Sequence, residues 1–292
     1  MTKCLIKATG WIGDSFFALP LPQKLKNEFK FDIVDFLSYR PQPLLLLKQN
    51  KFIDNVFLEK CDESTYDQIF EMPGIADKSI PPTIQFQNFC KIKNQDISYE
   101  IQTYPEHDTI ANILISGLDK TKKIVTYQGD WFYRRWNISK EEHLSRKFNT
   151  ADVRPGAFSS RPGNIKYILT ELKKQRHDCI FIEISPFHSK HVDARGYCTD
   201  PYRYSLLASI IKGSHLFLGA EGGLSNLAAG LGIKTIITTC HLYLMFGEQG
   251  VFSQTTKEIQ LGPAKLFPGK GHIHLDPYLT DEGVLEELCK LV

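Results

Sequence analysis

His215 to Thr239 reads HLFLGAEGGLSNLAAGLGIKTIITT, and the three periods within it decide the fold. His215–Leu218 is a short apolar run that stops at Gly219, as a buried parallel strand does at its carboxyl end. Gly222 and Gly223 let the backbone turn tightly and come close to a ligand. From Leu224 the apolar side chains Leu227, Ala228 and Leu231 recur at helical spacing. Gly232 then ends the helix before the next strand, Thr235–Thr239. Strand, glycine turn, helix and strand make a βαβ unit. The start of its helix points free N–H groups and a partial positive charge above the sheet, where a phosphate commonly sits. Glycine pairs between strand and helix also serve packing alone, so the pattern leaves both readings open.

A chain of 292 residues is long enough for two domains or one large one. It is 42% hydrophobic and 23% charged, as ordinary globular proteins are. The net charge of +2 sets up no field that would favour nucleic acid, and no arginine–aromatic tract stands out. The longest apolar stretches, such as Pro43–Leu47, are far shorter than the ~20 residues of a membrane span. The seven cysteines (Cys4, Cys61, Cys90, Cys179, Cys198, Cys240 and Cys289) form no CxxC pair and no regular spacing. They fit reduced thiols. The first strand begins almost at Met1 and leaves no room for a signal peptide, so the expected compartment is the cytoplasm.

Along the chain, Cys4–Thr9 is a compact apolar strand followed by Gly10-Trp11-Ile12-Gly13-Asp14. Asp14 stands where a helix would begin and is a candidate N-cap. Pro20 and Pro22 interrupt the first helical turn, and a helix over 22–29 follows. Phe31–Leu37, Asn55–Leu58 and Gln68–Met72 read as strands, with a short leucine-rich helix inside Arg40–Asn50. Residues 73–105, with Pro73, Pro81 and Pro82, carry no clear period. Glu106–Gly117 reads as a helix with Ile110, Ile113 and Leu114 on one face. The polar run Leu118–Lys123 is the expected boundary between a domain of residues 1–120 and one of residues 121–292. The alternation then restarts: strand 124–127, helix 164–175, strand Cys179–Ile184, helix 202–212, the βαβ unit, and a last helix Asp281–Leu291 capped by Thr280 or Asp281. The expected fold is α/β, with two doubly wound sheets facing each other and a ligand at the carboxyl ends of their strands.

Two motifs in this order carry a resemblance. Gly13-Asp14-Ser15-Phe16-Phe17-Ala18-Leu19-Pro20 resembles the amino-terminal motif of the ADP-heptose:lipopolysaccharide heptosyltransferases, glycosyltransferase family 9. Gly219–Leu231 is similar to that family's carboxyl-terminal "D-T-G-L-S-H-L-A-A-A-L" segment. Asn50–Val56 and the cluster Arg134-Arg135-Trp136 also resemble family segments. The resemblance implies a GT-B fold, two Rossmann-like domains across a cleft, with acceptor on the first and nucleotide-sugar donor on the second. It implies inverting sugar transfer without a catalytic metal or other cofactor. By the resemblance, Asp14 is the general base for an acceptor hydroxyl, flanked on the acceptor side by Gly13 and Ser15. A carboxylate at a glycine turn can assist deprotonation of an alcohol as it attacks. The departing diphosphate would be met by the N–H groups of Gly222, Gly223, Leu224 and Ser225, the Ser225 hydroxyl, and Arg134 or Arg135. Ser185 would lie near the donor base and ribose.

The sequence departs from the family where Glu221, Gly222 and Asn226 replace its Asp, Thr and His. A carboxylate beside a diphosphate repels it, so Glu221 is expected to turn toward sugar hydroxyls or its own backbone. The expected partners are a nucleotide sugar (ADP-heptose-like), a glycan or glycolipid acceptor and a peripheral contact with the inner membrane, but no nucleic acid. Two alternatives stand beside this reading: another GT-B sugar-nucleotide enzyme (an epimerase or hexosyltransferase), and a non-catalytic nucleotide-sugar binder. His188, His191 and Asp193 lack a third ligand at a recognised spacing and read as a polar loop rather than a zinc site. His272 and His274 share one side of an extended segment and read as incidental to function, or else as lining the cleft near the substrate.

Overall fold

Strands buried on both faces alternate with helices and assemble two parallel sheets. The computed structural model describes residues 1–8, 10, 12–74, 80–128, 134–135, 161–162, 165–184, 200–220, 222–239, 266–275 and 279–292. In the first sheet β1 (Lys3–Ala8) is central. It pairs in parallel with β2 (Ile33–Ser38) on one side and β4 (Gln68–Glu71) on the other, and β3 (Val56–Leu58) extends the sheet beyond β2. Cys4 to Ala8 are all buried, as a strand covered on both faces requires. The order β3-β2-β1-β4 reverses direction at β1, so the carboxyl end of β1 is a topological switch point.

Two helices follow β1. Ile12–Phe17 forms α1, and Leu21–Phe29 forms α2 with a proline in its first turn and Lys30 left-handed at its end. Leu44–Leu47 is α3 and buries three of its four leucines. The stretch without a clear period holds α4 (Pro82–Phe89). Beyond it the chain is fixed by side-chain amides: Gln87 donates to the Asp96 carbonyl at 2.7 Å and accepts from the Asp96 N–H at 2.8 Å. In α5 (Pro105–Ser116) the apolar stripe faces outward, with Ile113 67% exposed, while His107 and Ala111 face inward.

The second sheet runs β11-β10-β9-β5-β8, all parallel. Its strands are β5 (Lys123–Gln128), β8 (Cys179–Ile184), β9 (Leu216–Ala220), β10 (Lys234–Thr239) and β11 (Ile273–His274). The short strands β6 (Arg134–Arg135) and β7 (Arg161–Pro162) pair antiparallel outside it. Among the described residues the helices of this half are α6 (Ile165–Gln175), α7 (Pro201–Lys212), α8 (Gly223–Gly230) and α9 (Asp281–Leu291). Asp200 caps α7 by accepting from the Tyr202 and Arg203 N–H groups, and Thr280 caps α9 by accepting from Gly283.

The two sheets share a continuous apolar core. It runs from Ile6 and Phe36 through Phe16, Phe17 and Tyr99 to Ala208, Leu227 and Phe217 of the second half. Helix α7 packs against both α3 and α5, and α1 packs against α8. A second cluster, with Leu172, Leu218 and Leu288, covers the other face of the second sheet under α6 and α9.

Candidate functional site

The turn after β1 is built around a missing side chain. A Cβ on Gly10 would overlap the Asp14 carboxylate, which folds back against this glycine. Helix α1 starts at Ile12, so Asp14 is its third residue and not the cap that its place in the sequence suggests. Its charge still lies in the first turn, where the helix dipole favours an anion. The neighbouring Ser15 is buried and its hydroxyl lies 3.4 Å from that of Ser38, at the end of β2. Ser38 in turn donates to the Arg40 carbonyl at 2.8 Å, and Arg40 Nε donates to the Gly10 carbonyl at 3.3 Å. The end of β2 thus braces the turn that carries Asp14.

The second element is the start of α8. Gly222 has φ 156° and ψ −167°, a region essentially reserved for glycine. Its N–H donates to Ser225 Oγ at 3.0 Å, and Ser225 Oγ donates back to its carbonyl at 2.9 Å. The Ser225 side chain is therefore buried and committed to the cap. The first helical hydrogen bond runs from Asn226 N–H to Gly222 at 3.0 Å. The N–H groups of Gly223, Leu224 and Ser225 precede it and lie outside the helical ladder.

These two elements meet. A Cβ on Gly223 would lie 3.6 Å from Ile12 Cβ and 4.0 Å from the Tyr204 hydroxyl. One on Gly13 would lie 3.6 Å from the Phe17 ring and 3.8 Å from Asn226 Nδ2. The segment between α4 and α5 ties to α8 as well. The Tyr99 hydroxyl donates to the Asn226 carbonyl at 3.2 Å, and Ile101 N–H donates to Gly230 at 2.9 Å. Burial pushes the Tyr99 phenol well above its usual pKa, so the hydroxyl stays a donor. The seam therefore packs the helix that carries Asp14 against the start of α8, whose leading peptide N–H groups lie outside the helical ladder.

A cavity of about 1020 Å³ opens at the opposite end of α8, lined by Leu19, Lys51, Gln102, Gly230, Gly232 and Lys270 among others. Neither Asp14 nor the first turn of α8 lines it.

No family model matches the sequence, and no curated protein does. Solved structures do match. The chain is similar to the glycosyl transferase family 9 protein from Veillonella parvula DSM 2008, with a TM-score of 0.58 over 99% of this chain and 97% of that one, at 10% identity. It is also similar to E. coli heptosyltransferase WaaC, solved with ADP, with a TM-score of 0.53 over all of both chains, at 12% identity. The chain has the heptosyltransferase fold. That fold is the two-sheet GT-B architecture expected from the sequence, and at this identity the likeness is one of fold.

Within it, α1, which carries Gly13, Asp14 and Ser15, packs on α8, with Ile12 near Gly223 and Gly13 near Asn226. Arg134 and Arg135 are placed by their backbone alone, opposite Pro162 and Arg161. Glu221, Ser185, Trp136, His188, His191 and Asp193 lie outside the described residues. His272 has a structural place, in keeping with the reading of the pair as incidental to function. It is buried against Phe267, and its Nδ1 accepts from Thr235 N–H at 3.1 Å, joining β10 to the segment before β11. Three site residues escaped the sequence reading as contributors: Arg40, Tyr99 and Tyr204. Each reaches the seam from a different element, and no local pattern links them to it.

Proposed function

We propose that the protein is an inverting glycosyltransferase that moves a sugar from a nucleoside-diphosphate sugar to a hydroxyl of a glycan or glycolipid. The observation that supports this reading is the packing of α1, which carries Asp14, on the first turn of α8 through Ile12–Gly223 and Gly13–Asn226. In this mechanism Asp14 accepts the proton of the acceptor hydroxyl as its oxygen attacks the anomeric carbon. The bond from that carbon to the diphosphate oxygen breaks, and the electron pair leaves with the nucleoside diphosphate. The N–H groups of Gly223, Leu224 and Ser225 and the guanidinium of Arg134 or Arg135 stabilise its charge. Attack opposite the leaving group inverts the centre. With these groups in place the reaction runs without a metal or other cofactor.

The donor is ADP-heptose-like and binds the second half, and the acceptor binds the first. We place the division near residues 120–121, because every strand of the first sheet precedes it and every strand of the second follows it. The protein works in the cytoplasm and meets a glycolipid acceptor peripherally at the inner membrane. Among the described residues no helix is long and apolar enough to cross a membrane.

A thermal-shift panel of nucleoside diphosphates and their sugars tests the donor site, with one base expected to raise the melting temperature. Asp14→Ala is expected to abolish transfer and leave diphosphate binding intact. Retained turnover would remove Asp14 from the chemistry. Activity abolished by EDTA and restored by a divalent ion would overturn the metal-free mechanism.

A further inference from the structure

Helix α5 turns its small side, with His107 and Ala111, toward α7 and its large apolar side chains toward solvent. Ile110, Ile113 and Leu114 are 45%, 67% and 57% exposed, and no other described element leaves three large apolar side chains in water. Tyr202 of α7, 62% exposed, widens the patch, its ring lying 6.1 Å from that of His107, which is one turn before Ile110. Together the four expose roughly 400 Å², an apolar patch of the size that on a monomer often marks an interaction surface. The ends of the stripe carry opposite charge. Glu106 stands in the first turn, and Lys120 and Lys122 follow just past the last. Glu106 and Lys120 are exposed, and neither has an ion-pair partner among the described residues.

We propose that α5 is a self-docking face, on which a second copy of this chain lays its own α5 antiparallel across a two-fold axis. Glu106, Ile110, Ile113 and Gly117 recur at helical spacing and share one row, with Leu114 beside it. With the axis at Ile113, the apolar side chains of the two copies cover each other. Glu106 lies seven residues before Ile113 and Lys120 seven after it, so each Glu106 faces the partner's Lys120. A two-fold interface needs a surface complementary to itself, and an apolar centre between opposite charges is one. Parallel pairing would set like charges together, whereas antiparallel pairing also opposes the two helix dipoles. An anionic bilayer does not suit this face. A helix lying on a membrane carries a cationic rim, and here Glu106 and Asp119 are exposed at the two ends. The proposal is independent of the donor site and of the reaction.

Sedimentation velocity of the full-length chain from about 1 to about 500 µM measures the association. The patch is about half of the ~800 Å² that each partner gives to a standard interface, so a reversible dimer with a Kd of about 10–100 µM is expected. Ile113→Asp is expected to raise the Kd at least about tenfold and to leave the melting temperature in place, because the side chain is exposed. Glu106→Lys and Lys120→Glu each set like charges together at both ends and are expected to weaken the dimer about threefold to tenfold. An equimolar mixture of these two variants is expected to regain wild-type association, since opposite charges then meet at both ends of the heterodimer. A wild type that stays monomeric, a dimer indifferent to Ile113→Asp, charge variants that associate as the wild type does, or a mixture no tighter than its components overturns the proposal. So does a monomer that binds phosphatidylglycerol vesicles through Ile113, which would give the face to a membrane. Should Ile113→Asp not fold, Ile113→Ser takes its place, with a weaker dimer expected and an unchanged one fatal.

Discussion

Arg40 Nε donates to the Gly10 carbonyl at 3.3 Å, which ties the end of β2 to the turn that positions Asp14. The two residues are thirty positions apart, and only the parallel pairing of β1 with β2 brings them together. A charged donor on a turn carbonyl restrains the turn more than a neutral one does. Arg40→Ala is therefore expected to lower turnover about tenfold, roughly 1.4 kcal/mol, with diphosphate affinity unchanged. Steady-state kinetics beside a binding titration checks this, and an unaltered kcat would show that the turn keeps its shape unaided.

Gly10 offers a steric version of the same test. The position cannot carry a Cβ without displacing the Asp14 carboxylate. Gly10→Ala is expected to reduce turnover by about a hundredfold, the scale of losing a positioned general base. The start of α8 is built from other residues, so donor binding should survive. A variant that loses affinity for nucleoside diphosphate in parallel with turnover would mean that the whole seam had collapsed.

Much of the fold was legible because its signals are local. The runs Cys4–Ala8, Cys179–Ile184 and Leu216–Leu218 are mainly apolar strands between turn residues, and each lies where the periods put it. Glycines at 222, 223 and 232 bound α8 by a rule that needs no distant partner. Residues 91–104 were opaque for the opposite reason. They have no period, and Gln87, Gly230 and Asn226 hold them through hydrogen bonds from elsewhere. On α5 the period was right, yet Ile110, Ile113 and Leu114 form the solvent face, because α7 packs on the face of Ala111. Asp14 could be singled out from its glycine turn, but its place relative to the helix start was misread by three residues. The glycine contacts across the seam belong to tertiary structure alone.

Asp35 tests the first sheet. It is buried on β2, where Oδ1 accepts from the Asn55 N–H and Nδ2, both at 2.9 Å, and Oδ2 accepts from the Tyr66 hydroxyl at 2.7 Å. Burial, helped by this carboxylate, pushes the Tyr66 phenol well above its usual pKa. Asp35→Ala strands three donors and is expected to cost about 3 kcal/mol or more. Tyr66→Phe removes one bond and is expected to cost about 1.5–3 kcal/mol. Urea denaturation measures both, and a larger loss for Tyr66→Phe would contradict the assignment of Asp35 as the hub.

The last prediction concerns pH. His272 is 9% exposed, with Nδ1 accepting from Thr235 N–H, so the ring must be neutral at that nitrogen. Burial, reinforced by Lys270, pushes its pKa down to about 4. The unfolded value is about 6.5. Between these two values the unfolded chain holds the proton and the folded chain does not, so protons favour unfolding there. The contribution is complete above pH 6.5, shrinks by at most about 3 kcal/mol as pH falls toward 4, and changes no further below that. His272→Asn keeps an acceptor for Thr235 and removes the titration. Urea midpoints from pH 7.5 to 4.5 should therefore decline more steeply for the wild type than for the variant. Parallel declines would show that the acid sensitivity arises elsewhere, and a steeper decline in the variant would reverse the sign of the argument.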